Sequence, residues 1–159
     1  MIKNRAVSIF LIAFMLMFIA CDKDKVFEEY GQSFSNYDWG QNQKVEFNPE
    51  IIDIETDYEL FVLVRHIYGF PYKDINILIK LISPSGKKRL VTISVDIINE
   101  NNKYFSDCAG DYCDRKKLIF SGFSFEEAGV YTIIFSQNNP IDPLPGIMDI
   151  GLMIRKSNL

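Results

Sequence analysis

From Tyr58 to the end of the chain, apolar residues return at every second position. Tyr58, Leu60, Val62 and Val64 share one phase, with Glu59 and Arg65 on the other. Ile75, Ile77, Ile79 and Leu81 repeat the pattern opposite Asn76 and Lys80, and Val91, Ile93, Val95 and Ile97 repeat it opposite Thr92, Ser94 and Asp96. Met148, Ile150, Leu152 and Ile154 form the last such run. A period of two places alternate side chains on opposite faces of a half-buried strand. Between the second and third runs stands Ser83-Pro84-Ser85-Gly86, in which proline presets φ and glycine accepts the left-handed region, so a hairpin is expected. Asn99-Glu100-Asn101-Asn102 breaks the alternation, and a long loop is expected to carry Cys108 and Cys113 before strands resume over 117–125 and 130–136. Val45-Glu46-Phe47 is a further strand candidate, and a proline-rich connection over 139–146 leads into the final strand. After residue 20 no helical period of ten or more residues occurs. The expected fold is all-β: an antiparallel β-sandwich, immunoglobulin-like or jelly-roll-like, of six to eight strands.

The other constraint lies at the start of the chain. Lys3 and Arg5 precede a charge-free run over residues 6–20 that stops at Cys21. The run is shorter than the roughly 20 residues of a membrane span, and a basic start, apolar centre and small final residue describe a secretory signal peptide. Cys21 directly after Phe18-Ile19-Ala20 resembles the lipobox of bacterial lipoproteins, although Phe18 stands where leucine is usual. In that class of signals the thiol takes a diacylglyceryl group, the chain is cut before the cysteine, and the new amine receives a fatty acid such as palmitate. The alternative is an uncleaved anchor with a coincidental cysteine. The resulting division is residues 1–20 as signal peptide, 21–30 as lipidated tether, and 31–159 as β-sandwich domain.

Without residues 1–20 the chain has 139 residues, one domain's worth, with fifteen basic side chains against 21 acidic ones. A mildly acidic surface lacking a Lys/Arg-rich run argues against nucleic acid. Cys108 and Cys113 flank Ala109-Gly110-Asp111-Tyr112. Three states stay open for them: a disulfide, which export permits; two free thiols; or a metal site shared with Asp107, Asp111 or Asp114. Zinc usually takes four ligands at tighter spacing, and the one histidine, His66, is remote in sequence, so no metal and no cofactor are expected.

Catalytic chemistry finds little support. A nucleophile triad would need His66 at a strand end, where a packed polar role is the simpler reading. Glu126-Glu127 sits on a tight turn and Asp53, Glu55 and Asp57 flank a strand, so these carboxylates read as solvated. No phosphate loop, GxSxG elbow or zinc-helix motif occurs. No catalytic residue and no small-molecule substrate are expected. Tyr68, Phe70 and Tyr72 cluster with Pro71 on an expected loop and form a candidate interaction surface, for a protein or a carbohydrate, or else cap one end of the core. Gly129-Val130-Tyr131 resembles the corner at which a tyrosine hydroxyl bonds back to the preceding loop.

Taken in order, the cysteine at 21, Val26-Phe27-Glu28-Glu29-Tyr30, Trp39, the 61–65 strand and Phe70-Pro71-Tyr72 resemble the GldH gliding motility lipoproteins of the Bacteroidetes. Phe125-Glu126-Glu127-Ala128-Gly129-Val130-Tyr131-Thr132 and Leu144-Pro145-Gly146-Ile147-Met148-Asp149-Ile150-Gly151-Leu152 continue the resemblance to the end of the chain. It implies a non-enzymatic lipoprotein supporting gliding and the associated secretion machinery. The implied partners are the bilayer, through acylated Cys21, and other gliding and secretion proteins of the envelope; the implied location is the outer membrane, facing the periplasm. The Cys108/Cys113 pair departs from the family pattern, in which a glycine-rich, cysteine-free stretch is expected. The runner-up is a carbohydrate-binding β-sandwich lipoprotein at the cell surface.

Overall fold

The computed structural model describes residues 23–31 and 33–157; the signal segment and Cys21 lie outside them. The chain forms β1 (Lys25–Tyr30), β2 (Asp38–Trp39), β3 (Val45–Phe47), β4 (Glu50–Ile51), β5 (Tyr58–Ile67), β6 (Asp74–Ile82), β7 (Lys88–Asp96), β8 (Asp107–Ala109), β9 (Tyr112–Phe123), β10 (Gly129–Val130), β11 (Thr132–Gln137), β12 (Leu144–Pro145) and β13 (Ile147–Lys156). Seven of these run six residues or longer, matching the six to eight strands that the alternation implies. The rest are short pairings of two or three residues. Among the described residues the only helical element is a single 3-10 turn, Ser35–Tyr37, and no helix is long and apolar enough to cross a membrane.

Two antiparallel sheets face each other. One has the order β1-β13-β5-β9-β8 and the other β3-β11-β6-β7, with the pairs β10-β4 and β12-β2 at the margins. Leu60, Val62 and Val64 of β5 and Ile150, Leu152 and Ile154 of β13 pack in one buried cluster with Ile75, Ile77 and Ile79 of β6 and Ile133 and Phe135 of β11. Each such side chain taken out of water stabilises the sandwich by roughly 1.5–3 kcal/mol. The Ser83–Gly86 hairpin forms as expected: Gly86 donates to the Ser83 carbonyl at 2.8 Å and adopts a φ of 86°.

Two expectations need correction. Residues 21–30 are not all tether, because Lys25–Tyr30 is an edge strand paired with β13 from Tyr30↔Gly151 to Lys25↔Arg155. Phe27 drives this pairing by packing against the core, its ring 6.3 Å from that of Phe47. The cysteine pair does not lie on a loop either. β8 and β9 form a hairpin with Ala109 opposite Tyr112 and a two-residue loop, Gly110-Asp111. Gly110 takes a φ of 65°, the first-position glycine of a type II′ turn.

The topology also gives the sandwich two distinct ends. β1 enters beside the last residues of β13: the Lys156 amide donates to the Asp24 carbonyl at 2.8 Å, and the Ser157 amide to that of Asp57 at 2.8 Å. The starts of β1 and β5, the finishes of β9 and β13, and the 83–87 turn therefore share the entry end. The Tyr68 loop, the Gly110 turn and the proline-rich 139–146 segment share the far end. β5 separates the two by about 33 Å, ten residues at strand rise.

Candidate functional site

β5 sits between β13 and β9, so its outward side chains are flanked on both sides. Its outward phase carries Phe61, Leu63 and Arg65. Register places Arg65 opposite Asp149 of β13 and Asp114 of β9. Arg65 Nε donates to Asp114 Oδ1 at 2.7 Å and the Nη2 group to Oδ2 at 3.2 Å, a two-point clasp. Nη1 lies 3.9 Å from Asp149 Oδ2, and Ser33 Oγ donates to Asp149 Oδ1 at 2.5 Å. The rings of Tyr30 and Tyr112 each lie 5.2 Å from the guanidinium carbon. A planar cation between two aromatic rings and two carboxylates uses the geometry that distinguishes arginine from lysine. The hydrogen bond it donates to Asp114 holds the Arg65 pKa above its usual value, while burial, followed by the Asp114 charge, raises that of Tyr30.

Beside this node, Phe61, Leu63 and Met153 form a small apolar cluster roofed by Tyr30. Lys116 Nζ lies 4.7 Å from the Phe61 ring centroid and the Arg155 guanidinium 5.3 Å, with Arg155 Nε donating to Glu59 at 2.6 Å. Tyr30 reaches this position because residue 151 is glycine: a Cβ there would stand 2.7 Å from the Glu29 carbonyl oxygen and 3.0 Å from Tyr30 Cδ1. The surface is a sheet face rather than a cleft: Tyr30, Arg65 and Tyr112, of residue types enriched where proteins dock, stand over the buried Phe61, Leu63 and Met153.

The residues singled out in the sequence are scattered. Cys21 lies outside the described residues. Cys108 and Cys113 face each other across β8 and β9, their sulfurs 2.01 Å apart. The aromatic trio is split. Tyr68 is 63% exposed and leans on Tyr104, with ring centroids 5.7 Å apart, whereas Phe70 is only 1% exposed. Phe70 is therefore not part of any interaction surface. Gly69, at a φ of 86°, reverses the chain and sends Phe70 inward against His66 and Tyr72, each 5.4 Å away between ring centroids.

His66 is fully buried. Its Nδ1–H donates to the Ile67 carbonyl at 2.9 Å, a tautomer fixed by the carbonyl's having no proton to give, and Nε2 accepts from Ser106 Oγ at 2.8 Å. Burial lowers its pKa. The serine–histidine distance suits nucleophile activation, but a backbone carbonyl occupies the place of the orienting carboxylate, so the pair serves as a latch between β5 and the 104–106 segment. Glu127 is not a freely solvated carboxylate: it accepts from Ser83 Oγ at 3.0 Å, the Ser85 amide at 3.0 Å and Ser85 Oγ at 2.7 Å. The Tyr131 hydroxyl accepts from the Glu127 amide at 3.1 Å, forming the corner that Gly129-Val130-Tyr131 suggests. Among the described residues no three His, Cys, Asp or Glu side chains gather to hold a metal, and no buried side-chain nitrogen or oxygen lacks a partner.

Sequence reading placed Arg65 on the outward phase but missed its setting. Tyr30, Tyr112, Asp114 and Asp149 come from three other strands, and only the register brings them to Arg65.

Fold and side-chain arrangement together define an antiparallel β-sandwich whose conspicuous polar and aromatic cluster lies on an open sheet face. Within that class the chain belongs to the GldH lipoprotein family, whose sequence profile matches residues 25–154. It is 29% identical to the gliding motility lipoprotein GldH homolog of Christiangramia forsetii, over 96% of this chain and 98% of that one. It is 26% identical to the gliding motility lipoprotein GldH of Flavobacterium johnsoniae, over 99% of each chain. Among solved structures, a family GH115 4-O-methyl-alpha-glucuronidase superposes with a TM-score of 0.46 at 11% identity, over 87% of this chain and 18% of that one. That likeness is too slight to bear on ligand or function.

Proposed function

We propose that this chain is a non-enzymatic lipoprotein that supports gliding motility and the associated secretion machinery as an assembly component of the cell envelope. Cys21, acylated after removal of residues 1–20, anchors it, in the outer membrane and facing the periplasm. The sandwich contacts other envelope proteins through the outer face around Arg65 and Tyr112. The observation that carries this reading is the family match across residues 25–154, with the lipobox-like cysteine immediately before it. Tyrosine and arginine held rigid on a sheet face support a docking role, since little side-chain freedom is left to lose on binding.

The test is deletion of the gene in its own organism, followed by complementation. Loss of colony spreading and of secreted protein, restored by the wild-type chain, is the expected result. Cys21→Ser and Arg65→Glu should restore neither. A deletion strain that spreads and secretes like its parent would refute the proposal.

A further inference from the structure

The loop after β4 exposes two isoleucines at the entry end: Ile52 is 82% and Ile54 42% exposed, with Asp53 between them. Asp53, partly exposed, is tied back by four hydrogen bonds. Its carboxylate accepts from Lys156 Nζ at 2.8 Å, Thr56 Oγ1 at 2.9 Å and the Glu55 amide at 3.1 Å, and its carbonyl from the Tyr58 hydroxyl at 2.5 Å. The loop is thus tied down at Asp53, with two aliphatic side chains outward and the exposed carboxylates of Glu55 and Asp57 following them.

Lys156 ties this loop to the start of the chain: its side chain holds Asp53 while its amide holds the Asp24 carbonyl. Cys21 precedes Lys23 by two residues, so its α-carbon lies within about 7 Å of that of Lys23 at full extension. A lipid on Cys21 therefore brings the bilayer surface to this end of the sandwich.

We propose that Ile52 and Ile54 insert into the membrane interface beside the acylated cysteine, giving the domain a second contact that sets the sandwich upright on the bilayer. The inference rests on the reading of Cys21 as the lipidated residue. Charges at this end are of both signs, Lys23, Lys25 and Lys87 as well as Glu55, Asp57 and Glu126, so apolar burial rather than attraction to anionic lipid drives the contact. With the loop in the interface, the long axis of β5 stands off the surface. The Arg65 face is then presented sideways, and the Tyr68 end points away from the membrane.

The full chain, processed in a bacterial host and reconstituted into zwitterionic phosphatidylcholine vesicles, tests this. Ile52→Trp places a reporter on the loop, and Tyr68→Trp places one at the far end. Trp39 is fully buried and serves as a constant background. Acyl-brominated lipid should cut the added fluorescence of I52W roughly two-fold, because interfacial side chains sit about 5–10 Å deep, and should leave that of Y68W unchanged in the same lipid. Added salt should not reverse the loss. Intact mass of the same samples reads the acyl chains on Cys21. An acylated protein whose I52W is quenched no more than Y68W would overturn the loop contact and leave the anchor standing. An unmodified Cys21 would overturn the anchor and the contact with it.

Discussion

His66 is the one histidine of the chain and is stored neutral in the core, bonded to Ile67 and Ser106. Burial lowers its folded pKa below the ordinary 6.5. Below pH 6.5 the unfolded chain therefore takes up a proton that the folded chain refuses, and stability falls as the pH drops. Asp53 and Glu127, held below the usual carboxylate range by their hydrogen bonds, act in the same direction only at lower pH. Urea midpoints measured from pH 7.5 to 5 should decline below 6.5, and the decline should be absent in a folded His66→Gln variant. A profile for H66Q that parallels the wild type would remove His66 as the cause. At Arg65, Arg65→Lys keeps the charge but loses the two-point clasp and both ring contacts. Its expected cost is about 1 kcal/mol in urea unfolding, the scale of a partly exposed ion pair with stacking.

Among the elements, the β8–β9 hairpin and the edge strand β1 are the most informative. Cys108 and Cys113 flank a short loop, and in the chain-entropy picture a bond between them would stabilise the fold by about 2 kcal/mol. Reductant should lower the unfolding midpoint accordingly, and alkylation followed by intact mass should label both cysteines only after reduction. Equal labelling with and without reductant would rule out the bridge. For β1 the sensitive position is Gly151, where a methyl group meets the Glu29 carbonyl at 2.7 Å and the flank of Tyr30. Gly151→Ala should push β1 away from β13, costing about 1–3 kcal/mol, the usual range for overpacking. Hydrogen exchange should speed up in residues 25–30 before it does in β6 or β11. Unchanged protection in β1 would show that the strand absorbs the methyl group.

At the scale of the whole molecule, the proposed anchor stands four residues ahead of β1. On the reading of Cys21 as the lipidated residue, Cys21→Ser should abolish the acyl mass and the cut before residue 21, leaving an unacylated chain that keeps residues 1–20. A Cys21→Ser chain that still carries acyl mass, or is still cut before residue 21, would overturn that reading. The sequence alone determined the sandwich. Alternation in 58–65, 75–81, 91–97 and 148–154 is a local property, imposed because each strand has one face in the core. Both β5 and β13 nevertheless bury their second face, with Phe61, Leu63 and Met153 packed under Tyr30. That depends on which strands become neighbours. The inward turn of Phe70, the hairpin under the cysteine pair and the capture of Glu127 by Ser83 and Ser85 likewise depend on contacts distant in sequence. The Arg65 cluster is the clearest case: period two dictates that Arg65 points outward, but only register, fixed by packing the whole core at once, decides that two tyrosines and two aspartates meet it there.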